Sequence, residues 1–287
     1  MPLIGSPLRY PGGKTKALRQ IAPFLPASFQ SYREPFVGGG SLFVHLRQRH
    51  PQLPAWINDL NYDLYCFWQT ARTDLERLTQ AVADVKTRAT DGRRLFAALT
   101  TDCRPAELSD FDRAVRFFVL NRITFSGTVE AGGYSQKAFE SRFTHSAIAR
   151  LARLKDVLDV DVRVTNLDYA EVLAAPGRDV FVFLDPPYLS ATKSKLYGRK
   201  GALHAAFDHA RFARLMQACP HKWLITYDDS QGVRDNFAFP GAHISEWQLQ
   251  YGMNNFGRDH APKGKELFIT NYPVAVRAGS EQGAMSY

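Results

Sequence analysis

The segment Val180-Phe181-Val182-Phe183-Leu184 sets five apolar residues in succession with no polar face between them. A strand of that kind must be covered on both sides, which is the condition of a central strand in a parallel sheet flanked by helices. The run stops at Asp185-Pro186-Pro187-Tyr188. Ligands of open α/β sheets bind outside the carboxyl ends of such strands, so chemistry is expected at this tetrapeptide. Two prolines remove two backbone donors and stiffen the turn, which leaves the Asp185 and Pro186 carbonyls free as acceptors beside the Tyr188 ring. Acceptors next to a ring suit a planar amino-purine or amino-pyrimidine. The plainer alternative is a strand terminator in which Asp185 is a cap and Tyr188 belongs to the core.

Other strand and helix signals follow the same grammar. Ser31 to Phe36 reads as a strand, Ser41 to His50 as a helix and Ala55 to Asp59 as a second strand, a βαβ unit. The next strand signal, Asp161 to Thr165, comes about 100 residues later, too far for a structureless loop in a compact domain. The intervening stretch is therefore expected to be an insertion, and a mostly helical one. Leu64, Phe67, Trp68, Ala71, Leu75, Leu78, Val82 and Val85 share one helical face, as do Phe111, Val115, Phe118 and Val119. Residues 121–136, NRITFSGTVEAGGYSQ, break that pattern with β-branched residues and Gly132-Gly133, which predicts a hairpin or projecting loop before a helix at Ser146 to Leu158. Lys222 to Tyr227, Ile244 to Gln250 and Glu266 to Asn271 read as further strands. The polar tail 278–287 is expected to be disordered.

Charge placement says more than total charge. Lys and Arg number 36 against 28 Asp and Glu, and 13 basic against 7 acidic residues lie between Lys86 and Lys155. A second basic group, Lys193, Lys195, Arg199 and Lys200, follows the Asp-Pro-Pro-Tyr turn. Both suit phosphate contacts on nucleic acid, although a solvated basic surface would look the same. Cys66, Cys103 and Cys219 have no CxxC spacing and the histidines form no HExxH pair, so no disulfide framework and no metal are expected. With no long apolar span and no signal-peptide core at the start, a cytoplasmic protein is expected.

Glu34-Pro-Phe-Val-Gly38-Gly39-Gly40-Ser41 places a glycine turn between the first strand and its helix, where backbone can approach a ligand. The dinucleotide fingerprint fails because Phe43 stands where GxGxxG requires glycine. What remains is a GxG turn with Asp59 at the end of the second strand, placed for ribose hydroxyls. This fits an adenosine cofactor such as S-adenosylmethionine; a tight turn with an N-capping Asp59 is the structural alternative. Gly12-Gly13-Lys14-Thr15 imitates the end of a phosphate-binding loop, but Leu8 occupies the position of its first glycine, which leaves a nucleotide hydrolase as an unfavoured reading.

Taken in order, LRYPGGK at 8–14, EPFVGGGSLF at 34–43, INDLN at 57–61, NLDY at 166–169 and DPPY at 185–188 resemble the Dam-like, D12 class of DNA adenine N6-methyltransferases, in the alpha arrangement. The similarity continues through WLITYDD at 223–229 and KELFITNY at 265–272. The resemblance implies an α/β fold: a Rossmann-like class I S-adenosylmethionine-dependent methyltransferase sheet (1–62 and 159–277) with an inserted, mostly helical target-recognition domain (63–158). It further implies that Tyr10 and Lys14 contact the cofactor, that Phe36, Gly38 and Gly40 shape its pocket, that Asp59 holds the ribose, and that Asp168 lies near the adenine. Asp185 would stand between cofactor and substrate, catalysing with Pro186 and Tyr188. Arg9, Asn121, Arg122, Lys193 and Lys195 would contact double-stranded DNA. A cognate restriction endonuclease is an admissible partner, and a monomer is the default. Cytosine N4 or RNA methylation, or an inactive DNA-binding regulator, are the competing readings. The chemistry expected is direct: Asp185 and the Pro186 carbonyl accept the two amino hydrogens of an extruded adenine, and the proton leaves late because a carboxylate of ordinary pKa, about 4, is too weak to remove it first.

Overall fold

Residues 3–10, 12–129, 132–189, 207–250 and 263–274 are described by the computed structural model. Its strands are β1 (Ser31–Glu34), β2 (Ala55–Asn58), β3 (Val162–Thr165), β4 (Val180–Leu184), β5 (Lys222–Asp228), β6 (His243–Gln250) and β7 (Lys263–Thr270). They form one mixed sheet in the order β3-β2-β1-β4-β5-β7-β6. The first five are parallel neighbours, and β7 enters antiparallel between β5 and β6.

Strand β4 explains why its sequence lacks a polar face. Phe181 and Phe183 enter one hydrophobic core, while Val180, Val182 and Leu184 enter a second on the opposite side of the sheet. The second core lies under α9 (Tyr169–Ala174), α10 (His209–Ala218) and α11 (Gln231–Asn236), with Phe212, Met216, Trp223 and Tyr227 at its centre. The first core contains α1 (Leu18–Ile21), α2 (Ser41–Arg49) and, between β2 and β3, the long helical stretch.

That stretch consists of α3 (Tyr62–Thr73), α4 (Leu75–Arg88), α5 (Gly92–Thr100), α6 (Asp110–Ile123), α7 (Gln136–Arg142) and α8 (His145–Ala152). Side-chain caps start most of them: Asn61, Asp91, Ser109, Ser135 and Thr144 each accept from backbone NH groups of the first turn. The helices share a single core with the sheet. Leu78, Val82 and Phe118 belong to the same buried cluster as Phe181 and Leu224, and Phe67 of α3 stacks on Phe118 of α6 at 5.9 Å. The helix expected over Ser146 to Leu158 ends at Ala152 and continues as a 3₁₀ turn to Asp156. Where a hairpin or projecting loop is expected, Thr124 and Tyr134 form an antiparallel bridge among the described residues.

Candidate active site

The chain runs outward from β1 through β2 to β3 and then returns to β4, so the sheet has its switch point between β1 and β4. Crevices at such points are the usual ligand sites. After β1 comes the glycine turn. Gly38 and Gly40 adopt left-handed φ of +47° and +62°, and side chains here would collide: a Cβ on Gly38 would stand 2.9 Å from the Tyr10 ring, and one on Gly40 2.8 Å from Trp68. Trp68, read from sequence as a core residue, also donates its indole NH to the Gly38 carbonyl at 3.1 Å. The N-terminal segment is stapled over the same turn, with the Ser6 hydroxyl on the Gly39 carbonyl and Thr15 Oγ1 3.0 Å from Ser41 Oγ.

Asp59 follows β2 and accepts from Gly38 N and Asn61 N, each at 3.0 Å. Burial pushes its carboxyl up to about 6, against the pull of these backbone donors. Neighbouring Asn58 is wholly internal: its amide bonds Pro35 and Leu167 carbonyls at 3.0 Å, while its oxygen accepts from Thr165 and Leu167. Phe36 meets Tyr169, Phe207 and Phe212 at 5.2 to 6.0 Å, an aromatic wall beside the turn. Asp168 sits at the edge of that wall as the N-cap of α9, and its oxygens are taken by Ala170 N and the exposed Arg211 guanidinium.

At the end of β4 the buried Lys14 organises the turn. Its ammonium lies 2.9 Å from Asp185 Oδ1, 2.9 Å from the Tyr188 hydroxyl and 3.2 Å from the Gly12 carbonyl, so its three donors are spent on three acceptors. Thr226 of β5 donates to the same Asp185 oxygen at 2.6 Å. Oδ1 is thus clamped by two donors, while Oδ2 has no hydrogen-bond partner among the described residues and Asp185 keeps 23 % exposure. Tyr188 passes its own hydrogen to Glu266 Oε2 at 2.9 Å. Burial, with the Asp185 and Glu266 charges beside it, raises this phenol well above its ordinary range. Leu189 N donates to Asp228 at 2.8 Å, which fixes the exit from the turn.

The expected DNA contacts separate on inspection. Asn121 is fully buried in α6, where its amide accepts from Arg9 N at 2.9 Å and donates to the Arg9 and Gly127 carbonyls at 2.7 and 3.0 Å. The sequence reading put this side chain on a DNA surface; instead every polar atom is used inside, and it ties Arg9 to the projecting loop. Arg122 is also buried, packed on Phe118 at 5.3 Å with Nε unpartnered. Burial and the neighbouring Arg9, Arg150 and Arg142 cations push its guanidinium down to about 9. Arg9 is half-buried and reaches the Thr124 carbonyl at 3.3 Å. Phe125, which the sequence reading did not single out, stands 67 % exposed at the start of the loop. Lys193, Lys195, Arg199, Lys200 and the tail 278–287 lie outside the described residues.

A glycine turn, an acid on the neighbouring strand end and a carboxylate held by one oxygen stand together at the switch point, features expected of an α/β group-transfer enzyme. The chain belongs to the D12 class N6 adenine-specific DNA methyltransferase family, whose profile matches residues 10–253. It is 26 % identical over 205 residues to the type II methyltransferase M.MjaIII of Methanocaldococcus jannaschii, covering 66 % of this chain and 71 % of that one. It is 23 % identical over 282 residues to the type II methyltransferase M1.LlaDCHI of Lactococcus lactis subsp. cremoris, covering 92 % and 94 % of the two chains. The DNA N-6-adenine-methyltransferase of Escherichia phage P1 is 28 % identical over 250 residues, which is 82 % of this chain and 31 % of the phage protein. The activity is adenine-specific DNA methylation, and the family draws its methyl group from S-adenosylmethionine. No described helix is long and apolar enough to cross a membrane.

Proposed function

We propose that the chain methylates adenine N6 at a specific sequence of double-stranded DNA, on a base extruded from the duplex, by direct in-line transfer. The observation that carries this reading is the asymmetric clamp on Asp185, which leaves Oδ2 to accept an amino hydrogen. The residues present fit S-adenosylmethionine: an open glycine turn at Gly38 and Gly40, Asp59 for the ribose hydroxyls, the Phe36 wall for the adenine, and Tyr10 closing the side. Asp168, already a helix cap, is at most the rim of that pocket. When bound, this cofactor supplies an electrophilic methyl group.

The protein's part is orientation and charge. The exocyclic nitrogen of adenine is a poor nucleophile because its lone pair is delocalised into the ring. Asp185 Oδ2 and the Pro186 carbonyl, each accepting one hydrogen, turn the nitrogen toward tetrahedral geometry and stabilise the positive charge that grows on it. Tyr188, its hydroxyl anchored below by Glu266 and Lys14, offers its ring face to the base. The proton then leaves after transfer, first to Asp185.

Extrusion of the base is assigned to the helical stretch 63–158, read as the target-recognition part. Arg9, Arg142 and Arg150 gather basic charge at the surface around the buried Arg122, suited to backbone phosphates, and Asn121 holds Arg9 in place. Phe125 is the ring available to fill the gap left by the base. Phe125→Ala is expected to slow methylation of a paired adenine about tenfold and of an adenine in a mismatch far less, since unpairing is then already paid; equal effects on both substrates would remove the wedge role. The type II methyltransferase relatives support a modification role beside a cognate restriction endonuclease; a monomer is the default, since methyl transfer to one strand needs no two-fold symmetry.

Purified protein with methyl-labelled S-adenosylmethionine and duplex DNA, followed by base analysis and mapping, tests the whole reading. Label is expected in N6-methyladenine at one short sequence. Label in cytosine, or in RNA alone, would overturn it.

A further inference from the structure

Glu266 has no place in the transfer just described, yet it is one of the most buried charged residues of the chain, at 1 % exposure. It lies in β7, opposite Asp228 of β5 and Trp247 of β6. One carboxyl oxygen accepts from the Tyr188 hydroxyl at 2.9 Å; the other, Oε1, is buried with no hydrogen-bond partner among the described residues. A buried acceptor left unpaired is unfavourable unless something else compensates it. Among the described residues the cation of this network is Lys14, and Lys14 is already paired with Asp185 at 2.9 Å. With Asp185 and Glu266 both ionised, this end of the pocket carries one negative charge more than Lys14 cancels, and Asp228 adds to the same sign.

Neighbouring strands are about 4.8 Å apart, so a ligand with its ribose at Asp59 beyond β2 reaches the end of β4 within roughly 10 Å. The sulfur end of such a ligand would lie on the side of Lys14 and Asp185, to which Glu266 on β7 is joined through the Tyr188 hydroxyl. We propose that Glu266 makes this site distinguish the cationic methyl donor from its neutral demethylated product: the donor's sulfonium completes the charge of the pocket, and the product's thioether leaves it in excess. Glu266 is on this view a specificity-determining residue that acts through charge without touching the base. The inference rests on the pocket being the S-adenosylmethionine site.

The proton balance follows directly. Burial, opposed by Lys14 and reinforced by Asp185, pushes the Glu266 carboxyl up to about 7, so at neutral pH part of the population is protonated. Arrival of a cation favours the carboxylate and drives that proton into solvent. Arrival of the thioether does not. Once the methyl group has left, Glu266 regains a proton, the excess charge disappears, and no preference holds the pocket to its former ligand.

The test is isothermal titration calorimetry of the full-length protein with S-adenosylmethionine and with S-adenosylhomocysteine, at pH 7 in buffers of different ionisation enthalpy and again at pH 8. The amino-acid portion common to both ligands cancels in the comparison. Wild type is expected to release more protons with the donor than with the product at pH 7, and to prefer the donor about tenfold at pH 8, with the preference shrinking as pH falls below 7. Glu266→Gln, which keeps an oxygen for Tyr188, should bring the preference near unity and abolish the extra proton release while the product still binds. Equal proton release for donor and product in wild type overturns the proposal without any variant, as does an unchanged preference in Glu266→Gln. Failure of wild type to bind either ligand would instead sink the assignment of the pocket itself.

Discussion

Replacing Asp185 by alanine lowers single-turnover methyl transfer to duplex DNA about a thousandfold or more, because the acceptor aimed at the amino group is lost. Asparagine is expected to do as badly. Lys14 and Thr226 both donate to Oδ1, at 2.9 and 2.6 Å, so the amide oxygen of Asp185→Asn must turn to that side. The amide NH2 then faces the adenine NH2, donor against donor, at the position where an acceptor is required. On the proposed cofactor site, S-adenosylmethionine is expected still to bind both variants, since the glycine turn and Asp59 are untouched. A rate for Asp185→Asn within tenfold of wild type would show that the carboxylate is not oriented in this way.

Much of this arrangement was legible in the sequence because local chemistry carried it. The Val180 to Leu184 run announced a strand covered on both faces, and the two cores that divide its side chains are why no polar residue interrupts it. The tight turn at Gly38 and Gly40, held by Asp59, could be read because left-handed backbone there requires glycine. What escaped was whatever depends on residues distant in the chain. Glu266 looks like any charged residue in a strand until β7 is threaded beside β5, a pairing that places it under Tyr188, 78 residues away. Thr226 was likewise one polar residue in an apolar strand. Asn121 shows the opposite error. Its position in a family motif suggested the surface, but it sits on the inward face of α6, where an amide is tolerated only because Arg9 and Gly127 satisfy it. A polar residue among Phe117, Phe118, Leu120 and Ile123 was the signal available for that reading.

Lys14→Met should lose activity and also unfold more readily, and the second effect should depend on pH. Lys14 is 4 % exposed and supplies the cation for Asp185, so its removal leaves a partly buried carboxylate with Thr226 as its remaining donor among the described residues; breaking such a pair typically costs about 3 kcal/mol. Glu266 simultaneously loses the charge that held its carboxyl down. In the wild-type protein Glu266, Glu34 and Asp59 are all raised, to about 7, 8 and 6, by burial. A carboxyl raised in the folded state holds a proton that the unfolded chain has released, so its contribution is full below the unfolded value and is lost as pH rises through the folded one. His45, His209 and His221, lowered by burial, work the other way below the ordinary histidine value, but the three carboxyls span the wider interval, so wild-type apoprotein is expected to melt at a higher temperature near pH 5 than near pH 8. Lys14→Met steepens the slope, because Glu266 now binds its proton more tightly, and the gap between variant and wild type widens toward pH 8. Adding Glu266→Gln to Lys14→Met removes one of the two stranded charges and should recover part of the loss, an interaction that a double-mutant cycle in urea measures at each pH. A stability difference that is the same at pH 5 and pH 8, with no recovery in the double variant, would mean that Lys14 supports the turn by packing alone and that the charge network holding Asp185 has been misread.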